Sequence, residues 1–158
     1  MGHTFASRDE LEGLYAEYNE ALDDGAIERW PSFFATTSSY RVTTRENVER
    51  GWPMTLLHCE SYGMILDRSV AIQKTLYFLP RMQRRVVSGI RVTREGPDLA
   101  HVRCSFAVFE TLAGEHTKVL ASGRAEDVVI RQEGALKFSE RACVLDASLV
   151  PNSLPVPV

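Results

Sequence analysis

Residues 99–112 read LAHVRCSFAVFETL, and this stretch indicates the fold class. Its apolar side chains recur at every second position, namely Val102, Cys104, Phe106 and Val108. That alternation is typical of a β-strand with one buried face. Turn-forming residues lie on both sides, Glu-Gly-Pro-Asp at 95–98 and Ala-Gly-Glu-His at 113–116. We therefore predict a long strand over 99–112 that continues into its neighbours through short turns.

Further strands are predicted on both sides of this one. The apolar pattern favours strands over 84–94, 117–132 and 135–146, with a tight turn at Glu133-Gly134 between the last two. Gly123 lies inside the 117–132 strand and indicates a bulge or a sharp bend, because glycine weakens a regular strand. Joined by short turns, these strands form an antiparallel meander.

Two helices are predicted before the strands. Ser7 and Glu10 form a capping box, in which each side chain satisfies a free backbone N–H of the other residue. An apolar stripe follows at helical spacing and consists of Leu11, Leu14, Tyr15, Tyr18 and Leu22. Gly25 ends this helix. A second, short helix is predicted over 26–35, with a break or a new first turn at Pro31.

The segment between the second helix and the long strands is mixed. We predict a strand over 39–45, a loop over 46–53, a strand-like segment over 54–60 and a helix over 61–75. The apolar packing positions of that helix are Ile65, Val70, Ile72 and Leu76. Helices followed by an antiparallel meander predict an α+β fold in which helices cover one face of a curved sheet.

The length of 158 residues predicts a single domain over residues 1–158. We expect a flexible N-terminus at 1–6 and an extended, proline-rich tail at 147–158. The prolines of the tail exclude a helix or a central strand there. Because Leu154, Val156 and Val158 are apolar, we predict that the tail docks against this domain or a neighbouring molecule.

The composition, with 44% apolar and 25% charged residues, is ordinary for a soluble globular protein. No apolar run approaches the roughly 18 residues that a membrane span needs, and no signal-peptide pattern opens the chain. We therefore expect a cytoplasmic protein with no membrane partner. The cysteines Cys59, Cys104 and Cys143 are predicted to be buried, reduced thiols.

The formal net charge of −3 conceals an uneven distribution. Residues 7–28 contain eight acids and one arginine, whereas residues 75–94 contain five arginines and no acid. Two interpretations remain open: faces that compensate each other within one fold, or an electrostatic seam between subunits, to which arginine is well suited. Nucleic acid is not an expected partner, because the chain is acidic overall and lacks a recognised basic module.

The histidines do not fit an iron site. A Rieske cluster needs a cysteine two or three residues before a histidine, and none precedes His58, His101 or His116 at either spacing. A non-haem iron site needs two converging histidines. His101 and His116 are expected roughly 36 Å apart along the predicted hairpin, at about 3.3 Å per residue. The sequence also lacks a P-loop, a dinucleotide fingerprint and a nucleophile elbow. We predict no catalytic, cofactor-binding or metal-binding residue in this chain.

One catalytic alternative remains open. A cone of curved sheet and helices can enclose a pocket for cofactor-free proton transfer. The candidates are His58 and Asp67 as base, with Tyr40 and Tyr15 as acid. In the competing interpretation, both tyrosines are core aromatics and Asp67 forms a local ion pair with Arg68.

Short sequence motifs follow one another in a characteristic order along most of the chain. They are Tyr15, Tyr18 and Leu22-Asp23; Trp30-Pro31 and Phe33-Phe34; Tyr40-Arg41-Val42-Thr43 and Arg45-Glu46-Asn47; Glu60-Ser61, Met64 and Leu66-Asp67-Arg68; Arg84-Arg85; Ala121-Ser122-Gly123-Arg124; and Glu140-Arg141 with Asp146. Together they resemble the small (beta) subunit of bacterial aromatic-ring-hydroxylating dioxygenases. Where that family often has a Tyr-Arg-His run, this sequence has Met-Gln-Arg-Arg-Val at 82–86. Within that family, this short sequence most resembles the beta subunits of oxygenases that act on aromatic acids.

The resemblance implies a cone-shaped, NTF2-like fold (that of nuclear transport factor 2), with N-terminal helices packed on a strongly curved, mostly antiparallel sheet. It implies a structural role beside a catalytic alpha subunit that carries a Rieske [2Fe-2S] cluster and a mononuclear iron. Such subunits commonly form an alpha3beta3 hexamer with beta–beta contacts in a trimer. We predict subunit-interface positions at Trp52, Arg81, Arg84 and Arg85. The alternatives are a stand-alone isomerase or dehydratase and a ligand-binding protein of the same fold.

Overall fold

The computed structural model describes residues 4–75, 81–149 and 156–158. The helices are α1 (Arg8–Asp23), α2 (Arg45–Glu49) and α3 (Tyr62–Thr75), with a 3-10 helix at Ile27–Phe33. The strands are β1 (Phe34–Thr44), β2 (Leu57–Cys59), β3 (Arg81–Glu95), β4 (Leu99–Leu112), β5 (Lys118–Gln132) and β6 (Ala135–Leu145). Within the described ranges, no helix combines the length and the apolar character that a membrane span requires.

The six strands form one sheet in the order β2-β1-β6-β5-β4-β3. Neighbouring strands are antiparallel, except that β1 and β6 run parallel. Helix α1 packs against β3 and β6, and α3 packs against β1 and the 3-10 helix. The helices therefore cover the sheet in the α+β arrangement that the sequence predicts.

The predicted meander is confirmed. Strand β4 has the predicted limits, and four of its inward-facing side chains are buried, namely Val102, Cys104, Phe106 and Val108. Glu133 and Gly134 join β5 to β6 with φ values of 52° and 81°. Two successive residues with positive φ are what a two-residue hairpin turn requires.

Gly123 is explained by a close approach of β6. A Cβ atom at this position would lie 2.0 Å from the carbonyl oxygen of Val144. The register irregularities of β5 lie elsewhere, next to Phe109 of β4 and at Val129 opposite β6. Of the predicted bulge or sharp bend, the bulge is therefore not found at Gly123, and the glycine allows the close approach of β6.

Helix α1 forms as predicted. The Glu10 amide donates to Ser7 Oγ at 3.2 Å, and the Ser7 amide donates to Glu10 Oε2 at 2.8 Å, so the capping box is complete. The predicted stripe is buried, as is Ala21. Gly25, with a φ of 74°, follows the end of the helix.

The second predicted helix, over 26–35, is wrong in type and in its end. Residues Ile27–Phe33 form a 3-10 helix, and strand β1 begins at Phe34 rather than at residue 39. Pro31 has no N–H for an α-helical bond, so a short 3-10 segment suits this position. Strand β1 starts early because Phe34 pairs with Phe138 of β6, a partner that local sequence does not reveal.

The predicted loop over 46–53 contains a short helix, α2. Thr44 caps it, since Thr44 Oγ1 accepts from the Asn47 amide at 3.2 Å. The strand-like segment over 54–60 is shorter than predicted, because only Leu57–Cys59 pairs with β1.

Helix α3 begins one residue after the predicted start. Ile65 and Ile72 are buried as predicted, whereas Val70 is 46% exposed and was assigned to the wrong face. The buried position on that turn is Ser69, whose hydroxyl donates to the Ile27 carbonyl oxygen at 2.8 Å. The predicted packing position Leu76 lies outside the described residues.

Residues near both ends of the chain pack against the domain. In the N-terminal segment predicted to be flexible, Ala6 is buried and the Phe5 carbonyl oxygen accepts from Arg131 at 3.3 Å. In the predicted tail, Val158 is 4% exposed and belongs to the hydrophobic core. The described end of the tail, residues 156–158, thus docks against this domain.

Candidate functional site

The core contains an ion pair between neighbouring strands. Asp127 of β5 and Arg141 of β6 are register partners, and Arg141 Nη1 lies 2.7 Å from Asp127 Oδ2. The side chains are 0% and 2% exposed, respectively. Tyr15 of α1 donates its hydroxyl proton to the same carboxylate oxygen at 2.5 Å. Three elements therefore meet at one buried charge pair.

Burial shifts the pKa values of this cluster. It raises the pKa of Asp127, and Arg141 opposes that shift by favouring the carboxylate. Burial and the nearby Asp127 charge raise the pKa of Tyr15 well above its ordinary value. Burial is the largest single influence on Arg141 and lowers its pKa, but Asp127 and the neighbouring Cys143 and tyrosine groups together outweigh it, so the net pKa is raised well above the ordinary value. The cluster is therefore a charged pair with a neutral phenol.

Aromatic rings surround the Arg141 guanidinium. Its central carbon lies 4.5 Å from the ring centre of Tyr18, 5.0 Å from that of Phe138 and 5.5 Å from that of Tyr15. Cation–π attraction is strongest where water is excluded, as it is here. Arg141 is thus stabilised both by a carboxylate and by ring faces.

A second polar cluster lies at the end of the tail. The Val158 amide donates to Tyr40 Oη at 3.1 Å, and Tyr18 Oη donates to the Val158 carbonyl oxygen at 3.1 Å. Arg85 Nη2 donates to the Pro157 carbonyl oxygen at 2.6 Å. Trp30 Nε1 donates to Tyr18 Oη at 3.0 Å. The aromatic interior of the cone therefore encloses the last two residues of the tail.

The proposed proton-transfer groups are not brought together. Tyr15 and Tyr40 lie in the core, and burial raises the pKa of both well above the ordinary value. His58 lies on β2 with its side chain 40% exposed, next to Glu60, and Asp67 is exposed on α3. The two phenols point to partners inside the chain, whereas the two candidate bases are on the surface.

Sequence reasoning missed Asp127, Arg141 and the role of Tyr18. The signal was present, because Asp127 stands between Ala125 and Val129 on the inward face of β5. Arg141 takes the matching inward position on β6. Opposite charges at inward positions of two adjacent predicted strands indicate a buried pair.

Metal-binding groups are dispersed. Across residues 4–75, 81–149 and 156–158, no three His, Cys, Asp or Glu side chains are grouped as metal ligands. His101 Nε2 lies 3.0 Å from Arg94 Nη2 on the outer face of the sheet, and His116 lies in the β4–β5 turn. The three cysteines are buried free thiols. The residues in the described part of the chain do not fit a Rieske cluster or a mononuclear iron.

The four predicted interface residues occupy different environments. Trp52 is 45% exposed, with the Arg50 guanidinium 4.7 Å from its ring centre. Arg84 is exposed on β3. Arg81 Nη1 lies 3.2 Å from Glu110 Oε2 and is partly buried. Arg85 is internal to the chain, with a side chain that is 3% exposed.

The acidic helix and the basic strand meet within the chain. Arg85 Nη1 lies 2.7 Å from Asp23 Oδ1, and the Arg85 amide donates to Asp23 Oδ2 at 3.0 Å. Asp23 belongs to the acidic segment 7–28 and Arg85 to the basic segment 75–94. The charge asymmetry is therefore compensated in part within the fold, while Arg84 keeps its charge at the surface.

Trp52 is one of several large apolar side chains exposed in the segment from α2 to β2 and on α3. Asn47 holds the segment after α2 in place. Its backbone carbonyl oxygen accepts from the Trp52 amide at 2.8 Å, and its side-chain Nδ2 donates to the Met54 carbonyl oxygen at 3.1 Å. Large apolar side chains are exposed here and on α3: Val48, Trp52, Met54, Leu56, Met64, Leu66 and Val70. We call these seven residues the Trp52 surface. Exposed apolar groupings of this kind mark interaction sites in soluble proteins.

Comparisons with known proteins agree with this geometry. The family model described as "Ring hydroxylating beta subunit" matches residues 18–152. The chain is 25% identical over 149 residues to the anthranilate 1,2-dioxygenase small subunit of Burkholderia cepacia, covering 94% of this chain and 92% of that protein. It is also 25% identical to the beta 1 subunit of the terephthalate 1,2-dioxygenase terminal oxygenase component of Comamonas sp., covering 94% of this chain and 97% of that protein.

Solved structures share the fold. A beta subunit assigned to an aromatic-ring-hydroxylating dioxygenase of Novosphingobium aromaticivorans has a TM-score of 0.87 at 28% identity, covering 96% of each chain. The benzoate 1,2-dioxygenase beta subunit of Burkholderia mallei has a TM-score of 0.76 at 12% identity, covering 91% of this chain and 93% of that one. A protein assigned as a scytalone dehydratase from Novosphingobium aromaticivorans has a TM-score of 0.66 at 17% identity, covering 88% and 83%. The predicted NTF2-like fold is confirmed.

Proposed function

Because this chain belongs to the ring-hydroxylating beta subunit family, we propose that it is the structural, non-catalytic subunit of its oxygenase. The chain is a beta subunit of an aromatic-ring-hydroxylating dioxygenase, and such a small subunit implies a catalytic alpha partner. In our proposal the Rieske [2Fe-2S] cluster and the mononuclear iron reside in that alpha subunit. The oxidoreductase activity then belongs to the complex.

One observation carries the structural role. The interior of the cone, where a pocket enzyme would place its substrate, contains the tail residue Val158, and the Tyr18 and Tyr40 hydroxyls are bonded to its backbone. Tyr15 is bonded to Asp127. The same contacts oppose the alternative of a stand-alone isomerase or dehydratase, because the candidate phenols are engaged within the chain.

The proposed assembly contains three alpha and three beta subunits, with contacts between beta subunits. Support comes from two separate exposed regions. The Trp52 surface adjoins β1 and β2, whereas Arg84 lies on β3, and these strands are at opposite ends of the sheet order. A subunit in a closed ring needs two different contact surfaces, one for each neighbour. Arg81 lies at the rim of the second region, and Arg85 supports it from inside by fixing β3 to α1.

We further propose an aromatic acid as the substrate class of the complex, since the matched relatives are named for anthranilate and terephthalate.

We also propose that residues 1–158 form one domain, because a single cluster of buried apolar side chains extends from Ala6 to Val158. A cytoplasmic location is consistent with three cysteines that remain free thiols.

Co-expression with the gene of its large-subunit partner tests this proposal. The expected product is a single complex whose mass, measured by light scattering during size exclusion, equals three copies of each chain. It should carry the iron–sulfur absorbance, and the beta chain purified alone should be colourless and inactive on aromatic acids. Stoichiometric iron on the lone chain, or turnover by it, would contradict the non-catalytic role. A complex of another stoichiometry would contradict only the 3:3 assembly.

A further inference from the structure

The tail contacts in the cone interior form a binding site for peptide backbone. Three side chains from three elements converge on two adjacent residues of the tail: Tyr18 from α1, Tyr40 from β1 and Arg85 from β3. All three are buried. Between them they bond the Pro157 carbonyl oxygen, the Val158 amide and the Val158 carbonyl oxygen. These contacts recognise main-chain atoms, and the Val158 side chain contributes apolar burial.

The site is held in position by groups other than the tail. Trp30 donates to Tyr18 Oη, which orients that hydroxyl so that its own proton is free for the Val158 carbonyl oxygen. Asp23 and Gln83 hold the Arg85 guanidinium, with Gln83 Oε1 accepting from Arg85 Nη2 at 3.1 Å. A binding site that is organised before its ligand arrives loses less entropy on binding.

The pattern of donors and acceptors defines the ligand. Tyr40 Oη takes up an N–H, and Tyr18 and Arg85 supply donors to two carbonyl oxygens on successive residues. The backbone of an extended peptide presents acceptors and donors in this order. Pro157, the first of the two bonded residues, favours an extended backbone. The buried Cys143 thiol also lies within weak hydrogen-bond distance of the Val158 backbone oxygen, at 3.9 Å, beside the Tyr18 hydroxyl.

We propose that the cone interior is a binding site for an extended Val-Pro-Val peptide, occupied by residues 156–158 of this chain, and that it binds the same sequence as a separate peptide. The site goes beyond the role of the chain in an oxygenase, because it does not depend on the partner subunit.

The first test uses the full-length chain. Amide hydrogen exchange at Val158, followed by NMR, is expected to be slowed at least about a hundredfold relative to an unstructured peptide, because buried, bonded amides exchange only on opening. Tyr40→Phe removes the acceptor and should speed this exchange about tenfold. Tyr15→Phe is the matched control, since its hydroxyl bonds Asp127 instead. Exchange of Val158 at the unstructured rate in the native chain would overturn the proposal.

The second test supplies the segment in trans. The chain is ended after residue 155, and acetyl-Val-Pro-Val is added while the thermal midpoint and the Trp30 fluorescence are followed in a Trp52→Phe background. A saturable rise in the midpoint is expected, because a ligand that binds the folded chain and not the unfolded chain stabilises the folded state. The peptide with N-methylvaline at its last position lacks the N–H that Tyr40 accepts and should bind about fivefold more weakly. Equal binding of the two peptides, or no saturable response, would overturn the proposal.

Discussion

Asp127 and Arg141 face each other across the β5–β6 ladder, and their side chains meet at 2.7 Å where both are almost free of solvent contact. A pair of this kind is asymmetric in its energetics. The intact pair adds little net stability, whereas one partner left alone in the core is strongly destabilising. The pair therefore specifies which residues of β5 and β6 oppose each other.

Asp127→Asn should lower the free energy of unfolding by about 3–5 kcal/mol, because it leaves the Arg141 charge in the core without a carboxylate. Urea denaturation followed by circular dichroism measures this. The control is Glu126→Gln on the outer face of the same strand, where Glu126 pairs with Arg103 at 41% and 45% exposure. That exposed pair should contribute less than about 1 kcal/mol. Equal losses in the two variants would contradict the internal role of Asp127.

Much of the fold follows from local sequence, and the departures have a common cause. The capping box at Ser7, the alternation in 99–112 and the turn at Glu133-Gly134 depend on neighbours within a few residues, and each was predicted. The early start of β1 depends on its parallel pairing with β6, about one hundred residues away. Periodicity cannot report a partner at that distance.

In the candidate site, too, local sequence predicts some features, whereas others depend on partners distant in sequence. Of the two interpretations of Tyr15 and Tyr40, the core aromatics are the correct one, but spacing does not say which groups they contact. Asp127 and Arg141 are polar residues at inward positions, and a pattern search that expects apolar residues there passes over them. The docking of the tail followed from its apolar character, while its position between Tyr18 and Tyr40 required the structure.

Alkaline conditions should destabilise the chain through its buried thiols. Burial raises the pKa of Cys104 to about 11 and that of Cys143 to about 12, from an ordinary value of 9.0. Above pH 9 the unfolded chain loses these protons and the folded chain keeps them, so stability falls as the pH rises from 9 toward 11. Each thiol contributes a loss of up to about 1.4 kcal/mol per pH unit in that window.

Cys104→Ala tests that relation. The variant should show a shallower decline of unfolding free energy between pH 9 and pH 11 than the native chain, whatever its stability at pH 7. Urea denaturation at several pH values measures the slope. An unchanged slope would show that other groups, such as the buried tyrosines, dominate the alkaline loss.

Gly123→Ala should be among the most damaging small substitutions in the chain. The added methyl group would lie 2.0 Å from the Val144 carbonyl oxygen, so β5 and β6 would have to separate. We expect a loss of about 2–4 kcal/mol in urea denaturation. Gly13→Ala is the matched control, because its methyl group meets nothing within 4 Å on α1. It should raise stability by up to about 1 kcal/mol. A tolerated Gly123→Ala would contradict the close strand approach.

Arg84 and Arg85 are adjacent on β3, yet we expect opposite consequences from their removal. Arg84 is exposed, so Arg84→Ala should leave the unfolding free energy within about 0.5 kcal/mol of the native value. If it contacts a neighbouring subunit, the same change should weaken assembly about tenfold, measured as the concentration at which the co-expressed complex dissociates. Arg85→Ala leaves Asp23 buried without its partner and should cost the lone chain about 3 kcal/mol or more.

The Trp52 surface provides the parallel test at the other end of the sheet. Trp52→Ala removes a ring that is 45% exposed and contacted by Arg50, so the lone chain should lose at most about 1 kcal/mol. Because large aromatic side chains dominate the energy of subunit contacts, assembly should weaken by about tenfold or more. Leu149→Ala, at a leucine that is 90% exposed and outside the Trp52 surface, serves as the control and should change neither quantity. If Trp52→Ala and Leu149→Ala complexes dissociate at the same concentration as the native complex, the Trp52 surface is not a subunit interface.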